Sequence, residues 1–301
     1  MRLLPSVKTV SIILPAFNEA ATIDEVLRGI LEIAPGRKPE ENWEILVVDD
    51  GSEDDTASIA ERDGVRVIRH PYNIGNGAAV KSGIREAKGE VLVLMDADGQ
   101  HRPDEIPKLL DALEHHVMVV GARQADGQAN WWRRGANAIY NSFASYVTGR
   151  RIPDLTSGFR VVRAAVARRF LYLLPNTFSY PTTITLACFK TGVPVAYVPI
   201  EARKRQGKSK IRLLADGTRF FLIILKIATI FSPFRVFFPL AFSSFLAGMG
   251  YYAYTYLTAR RFTNMAMLLI VQAVILFALA LISEQIAQLR FDRSERRGEG
   301  S

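Results

Sequence analysis

The chain has one cysteine, Cys188, so no intrachain disulfide can brace it, which agrees with a reducing compartment. It carries no low-complexity tract and no internal repeat. A cleavable secretory signal is not expected, because the apolar stretch Val10 to Ala16 is short and runs directly into Asn18-Glu19. Charge is missing from Val236 to Leu257, and from Met265 to Ile282 the one strongly polar side chain is Gln272. A bilayer core needs roughly 20 apolar residues per helix, so each run is long enough to span one. Both are apolar all round, which excludes ordinary amphipathic core helices. Tyr251, Tyr252, Tyr254 and Tyr256 crowd one end of the first run, as an interfacial belt would.

The linker Thr258 to Asn264 is short and predicts an antiparallel hairpin. Basic residues flank that hairpin on one side. The approach holds Arg203, Lys204, Arg205, Lys208, Lys210, Arg212, Arg219, Lys226 and Arg235, and the tail holds Arg290, Arg293, Arg296 and Arg297, against only Arg260 and Arg261 in the linker. The bias places both termini in the cytoplasm. Between Lys210 and Phe231 the polar residues Arg212, Asp216, Arg219 and Lys226 fall on one stripe at a helical period, which predicts a helix lying in the membrane interface. A second such helix is expected within Tyr140 to Val147. The net charge of +8 is read against a membrane, and no nucleic-acid partner is expected. The predicted organisation is an α/β domain over 1–208, an amphipathic helix over 209–232, two transmembrane helices within 233–287 (about 236–257 and 265–282), and a basic cytoplasmic tail over 288–301. Two helices per chain leave room for a homo-oligomer, although no motif demands one.

The first part alternates in type. Strands are predicted at Val10 to Leu14, Glu44 to Val48, Val65 to Ile68, Val91 to Met95 and Val117 to Val120. Helices are predicted over Thr22 to Ile33, Gly77 to Lys88 and from Pro103, and Ser52 with Asp55 reads as a capping box for a further one. Such alternation predicts a mainly parallel, doubly covered sheet. The run Val91 to Met95 has the continuous apolar character of a strand buried on both faces, and Asp96-Ala97-Asp98-Gly99-Gln100 follows it. Ligands of open α/β sheets bind outside the carboxyl ends of the strands. Paired carboxylates there suit a divalent cation that reaches the protein through one or two acids plus substrate phosphates. Asn18-Glu19 and Asp49-Asp50 end two other strands, so five acids converge on one edge. Like charges so gathered need a cation or hydrogen-bond donors.

Read together, Ile13-Leu14-Pro15-Ala16-Phe17-Asn18-Glu19, Val47-Val48-Asp49-Asp50-Gly51-Ser52, Asn73-Ile74-Gly75-Asn76-Gly77-Ala78-Ala79, Asp96 to His101, Asp154-Leu155-Thr156-Ser157-Gly158-Phe159-Arg160 and Gly207-Lys208-Ser209-Lys210 resemble family 2 glycosyltransferases of the GT-A fold. Within that family they resemble the dolichyl-phosphate mannose synthase-like, polyprenyl-phosphate glycosyltransferase branch, over residues 10 to about 231. The resemblance implies a GT-A, Rossmann-like domain followed by the interfacial helix and the transmembrane hairpin. It implies that Pro15, Ala16, Phe17 and Glu19 border a nucleotide, that Asp49 and Asp50 hold its base and ribose, that Asp96 and Ala97 lie against the nucleoside, and that Asp98 and Gln100 bind Mg²⁺ or Mn²⁺. Asn76 stands where many relatives carry a lysine, and Lys81 is the candidate replacement for that charge.

Departure of a diphosphate calls for fixed cations. Arg123, Arg133, Arg134, Arg203, Arg205, Lys208 and Lys210 are the candidates, with Ser157 beside them for phosphate or acceptor. Asp154 is assigned to the catalytic set together with Asp98, Arg123 and Arg133. His101 reads as a turn residue behind the acids, and His70, His115 and His116 as surface residues. The expected activity is transfer, with inversion, of a mannose- or glucose-type hexose from a GDP- or UDP-sugar to polyprenyl phosphate. A transferase of the same fold making a glycolipid or polysaccharide, and a membrane-bound nucleotide-sugar sensor without turnover, are the alternatives.

Overall fold

A computed structural model of the chain describes residues 9–34, 42–123, 141–146, 148–177, 180–201 and 229–298, with Gly135 and Leu225; of 290–298 it describes the helical backbone alone. The contacts divide it into two units, Met1–Phe143 with Arg150–Ile211, and Ala144–Gly149 with Arg212–Ser301.

The first unit is built on a sheet of β1 (Thr9–Ala16), β2 (Asn42–Asp49), β3 (Val65–Arg69), β4 (Val91–Leu94), β5 (Met118–Arg123), β6 (Arg160–Arg163) and β7 (Val195–Ile200). Its order is β3-β2-β1-β4-β6-β5-β7. The helices are α1 (Ile23–Ile33), α2 (Thr56–Ala60), α3 (Asn76–Glu86), α4 (Ile106–Ala112), α5 (Ala164–Arg169) and α6 (Tyr180–Lys190). β1 pairs in parallel with β2 and β4, and β2 with β3. Every residue of β4 is buried, as a strand covered on both faces requires. α1 lays Ile23, Val26, Leu27 and Ile30 into the core at helical spacing.

β6 is the departure from a parallel sheet. It runs antiparallel to both β4 and β5 and separates them. The sequence reading stops at the fifth strand because β6 has four residues and α6 is buried nearly throughout, so neither displays a period. The predicted capping box is also replaced. Asp54 accepts from Thr56 N at 3.0 Å at the start of α2, while Ser52 Oγ accepts from Asn18 N at 3.0 Å and so laces two loops together.

The second unit is a helical hairpin, α7 (Pro233–Ala259) and α8 (Asn264–Gly298). Both are long and apolar enough to cross a membrane. The seam is made of small residues seven apart: Ala241, Gly248 and Thr255 on α7, and Ala266, Ala273, Ala280 and Ala287 on α8. That spacing keeps one stripe of each helix on its partner, and small side chains allow close packing where lipid supplies no hydrophobic drive. Ser244 Oγ donates to Leu269 O at 3.0 Å across the seam. α8 continues as one helix to Gly298, into the segment expected to be a basic tail. At the other end, Phe234 N donates to Glu284 Oε2 at 3.2 Å, placing an acid at the first turn of α7, where helix N–H groups lack internal partners. Within Tyr140 to Val147, residues 141–146 are helical, and Tyr146 OH donates to Arg235 O at 3.2 Å. The expected interfacial helix over 209–232 lies outside the described residues, apart from Leu225 and the helical residues 229–231.

A Cβ at Gly248 would lie 2.9 Å from Ile270 Cγ1 and 3.1 Å from Leu269 Cβ. Gly248→Leu is therefore expected to force the helices apart at a cost of about 1–3 kcal/mol. A lower melting temperature in detergent, against an unchanged Gly250→Leu control whose site is open, checks it.

Candidate active site

The order β2-β1-β4 makes three acid-bearing strand ends immediate neighbours. The loops that leave them are tied to one another. Asp50 N donates to Ala16 O at 2.9 Å, Glu19 N to Thr56 Oγ1 at 2.8 Å, and Thr22 Oγ1 to Ala97 O at 2.8 Å. Asn18 adopts a left-handed φ of 55°, a conformation that asparagine tolerates, and Glu53 N donates to its Oδ1 at 2.9 Å. Pro15 and Ala16 close β1, with Phe17 and Glu19 half-buried just beyond.

Asp96 and Asp98 are half-buried at the end of β4, with Ala97 turned inward between them. Gly99 has φ 70°, which permits the tight turn, and Gln100 N donates to Asp98 Oδ1 at 3.1 Å. No three His, Cys, Asp or Glu side chains among the described residues gather to hold a metal alone. The carboxylate of Asp98 and the amide of Gln100 are hard oxygen donors, which fit Mg²⁺ or Mn²⁺ completed by substrate phosphates. His101 is buried behind them, its Nε2 3.9 Å from Asp96 Oδ2 and its ring 5.2 Å from that of Phe159. Burial pulls its pKa down to about 4, despite the opposing charge of Asp98, so the ring is neutral near pH 7.

Asp154 and Arg123 form a two-pronged pair. Arg123 Nε donates to Asp154 Oδ2 at 2.8 Å and Arg123 Nη2 to Oδ1 at 3.0 Å. Thr156 N and Ser157 N each donate to Oδ1 at 3.1 Å, and Arg123 also reaches Thr156 Oγ1 at 2.6 Å. Burial alone would raise the Asp154 pKa, but the guanidinium outweighs it and leaves the carboxyl below the ordinary range. Burial likewise works against the charge of Arg123, and Asp154, Asp96 and Asp98 more than compensate. The result is a fixed cation aimed by an acid beside the paired carboxylates.

The loop that supplies Asp154 also carries Gly158, where a Cβ would sit 2.3 Å from Asp96 Oδ2. Only glycine lets the backbone approach that acid. Behind the loop lies Arg160, which sequence reasoning left unassigned. It is fully buried, donates from Nε to Ser157 O at 2.7 Å and from Nη2 to Leu155 O at 2.9 Å, and also reaches Thr185 Oγ1. An arginine inside an apolar strand sequence was the available signal. A cleft opens beside Asp96, lined by Asn76, Thr156, Gly158, Thr177 and Tyr180.

Other predicted residues fall differently. Asp49 is buried, with Ser52 N on its Oδ1 at 3.2 Å. Asp50 is buried and directed into the protein, where it accepts from Ile74 N at 3.1 Å and Gly75 N at 2.7 Å. Lys81 Nζ donates to Asn176 Oδ1 at 2.6 Å, and burial followed by Arg85 lowers its pKa. The first N–H groups of α3 are taken by carbonyls, Gly77 N by Thr177 O at 3.1 Å and Ala78 N by Asn176 O at 2.7 Å. His70 is nearly buried, correcting its reading as a surface residue. Arg133, Arg134, Arg203, Arg205, Lys208 and Lys210 lie outside the described residues.

A mainly parallel sheet with an Asp-x-Asp sequence at its carboxyl edge, one antiparallel strand inserted beside it, and a fixed arginine on the neighbouring strand is the GT-A architecture. The chain belongs to glycosyl transferase family 2, whose match covers residues 11–172, and residues 232–289 match the GtrB C-terminal hairpin family. It is 31% identical over 216 residues, 69% of this chain and 65% of the relative, to an undecaprenyl-phosphate 4-deoxy-4-formamido-L-arabinose transferase of Edwardsiella ictaluri (strain 93-146). A protein of that description from Pseudomonas savastanoi pv. phaseolicola (strain 1448A / Race 6) is 32% identical over 259 residues, 81% of this chain and 72% of the relative. The aligned part spans 65% and 60% of the first two such relatives, less than two thirds of their length. Glucosyl-3-phosphoglycerate synthase from Mycobacterium tuberculosis, in complex with Mn²⁺, UDP-glucose and phosphoglyceric acid, shares the fold with a TM-score of 0.60 at 21% identity, over 73% of this chain and 80% of that one.

Proposed function

We propose that the protein transfers one sugar from a nucleotide-diphosphate donor to polyprenyl phosphate, with inversion, on the cytoplasmic leaflet. The observation that carries the reading is the state of Asp154. Both its oxygens are engaged, by Arg123 and by the N–H groups of Thr156 and Ser157. It is thus placed to aim a cation and poorly placed to take a proton. A hydroxyl acceptor needs a base. A phosphate monoester has its second pKa near 6, so its oxygen is already anionic at neutral pH. The apolar hairpin in the same chain keeps the enzyme at a lipid surface, where such an acceptor is found. The names of the relatives, undecaprenyl-phosphate sugar transferases, support the acceptor class.

In this reading Asp98 and Gln100 hold Mg²⁺ or Mn²⁺, which when bound neutralises charge on the departing diphosphate. Arg123 adds a preorganised fork for a phosphate oxygen. Pro15, Ala16, Phe17, Glu19, Asp49, Asp96 and Ala97 border the nucleoside, and Asp50 and Lys81 support the wall opposite. Arg133, Arg134, Arg203, Arg205, Lys208 and Lys210 meet the acceptor phosphate, whereas Ser157, first expected among them, is fully buried with its Oγ accepting from Phe159 N and shapes the Asp154 loop instead. A mannose- or glucose-type hexose from GDP or UDP is the donor first expected, and the relatives' formamido-arabinose makes a pentose donor the competing one. Transfer assays on the full chain in lipid, pairing UDP- and GDP-sugars with polyprenyl phosphate or free polyprenol, test the reading. Product is expected with the phosphate alone. Equal product with polyprenol, or none with any donor, overturns it.

A further inference from the structure

His70 follows β3 directly and so reaches the same sheet edge as the acids. Its Nδ1 lies 2.7 Å from Asp50 Oδ1 and its Nε2 lies 2.9 Å from Ser82 Oγ on α3. The His70 side chain is 10% exposed and that of Asp50 2%. Both ring nitrogens are thus engaged, Nδ1 by the carboxylate and Nε2 by the serine hydroxyl. The arrangement repeats the order of a hydrolytic triad. Ser82, however, lies in the interior of α3, where neighbouring N–H groups are committed to the helix, so no oxyanion hole accompanies it.

The remaining acceptor capacity of Asp50 goes to the strap of residues 72–77, which runs into the first turn of α3. Ile74 N donates to Oδ1 and Gly75 N to Oδ2. Gly51, at φ 72°, lies so close beneath that a Cβ there would meet the Tyr72 carbonyl carbon at 2.5 Å. At its far end the strap meets a second fixed point. A Cβ on Gly77 would lie 2.1 Å from Pro175 O, and Gly77 N and Ala78 N donate to Thr177 O and Asn176 O. The strap is therefore pinned at both ends, and its last residue but one, Asn76, lines the cleft beside Asp96.

We propose that His70 is a positioning residue for the nucleotide donor: with Ser82 it fixes Asp50, which holds the 72–77 strap and so sets where Asn76 stands in the cleft beside Asp96. His70 acts through the strap and touches no substrate. The inference rests on the proposed donor-dependent transfer. It differs from a general role in folding because it predicts an effect confined to one substrate. A hydrogen bond to a charged group is worth about 1.5–3 kcal/mol, roughly tenfold or more in affinity.

The test uses the full chain in lipid nanodiscs with Mn²⁺ and whichever of UDP or GDP binds the wild type. His70→Ala is expected to weaken nucleotide binding and raise the donor KM by about tenfold, while the acceptor KM stays within about twofold. His70→Asn keeps a donor near the Nδ1 position and should recover most of the loss. Ser82→Ala, which leaves the Asp50 contact in place, should fall between them and serves if His70→Ala does not fold. Unchanged nucleotide affinity in Ser82→Ala and His70→Ala overturns the inference, as does an equal rise in both KM values or an absence of recovery in His70→Asn. A wild type that binds neither nucleotide overturns instead the function on which the inference rests.

Discussion

Asp98→Ala is expected to lower turnover by at least about two to three orders of magnitude, the scale of losing one preorganised charge-stabilising group. Asp98 is half-buried at the rim of the edge, outside the packed core. Its accepted bond from Gln100 N is local to the turn. The variant should therefore keep the melting temperature of the wild type within a few degrees. Excess chelator should remove wild-type turnover, and added Mn²⁺ or Mg²⁺ should restore it. Full turnover of either the variant or the chelated enzyme would end the assignment of Asp98 and Gln100 to a metal.

The second large effect concerns Arg123 and Asp154. Arg123→Ala leaves a buried carboxylate with only backbone and hydroxyl donors, and breaking such a pair typically costs about 3–5 kcal/mol. Removing both side chains should be less destabilising than removing Arg123 alone. Activity should not follow stability: the double variant should remain at least about a hundredfold below wild type, because the fixed cation is gone. Arg123→Lys should not rescue it, since an ammonium cannot make the two-pronged contact that now aims the side chain. Recovery of turnover with recovery of stability would show that the pair only holds the fold. The pH dependence has a definite sign. The folded pKa of Asp154 is depressed, so its stabilisation is present above the ordinary carboxylate value and is lost only as pH falls below about 4. Wild type and Asp154→Asn should differ most in the neutral range and converge in acid. Chemical denaturation at several pH values measures this.

Much of the site is legible in the chain because parallel strands carry their own address. A buried apolar run that ends in Asp96 and Asp98 places those acids at the carboxyl edge whatever follows, and the alternation of types brings Asn18-Glu19 and Asp49-Asp50 to that edge. Direction is harder to read. Asp49 and Asp50 are adjacent, and only the path of the 70–77 segment turns Asp50 toward Ile74, Gly75 and His70. Asp154 and Arg123 are 31 residues apart. No local pattern pairs them, and their meeting depends on β6 returning antiparallel beside β5. Arg160 was hidden by the same strand, which is too short to announce itself.

The hairpin, the α/β character of the first part and the acids at one edge can all be read along the chain. Each follows from a local quantity: the length of an apolar run, the period of burial, or the residue that ends a strand. What the folded chain adds is the turn of Asp50 onto the segment after β3, the place where β6 inserts, and the approach of His70 to Asp50. Those outcomes depend on long-range closure, which brings together groups far apart along the chain, as where His70, Ile74 N and Gly75 N together turn Asp50 onto a loop while adjacent Asp49 is held by Ser52 N.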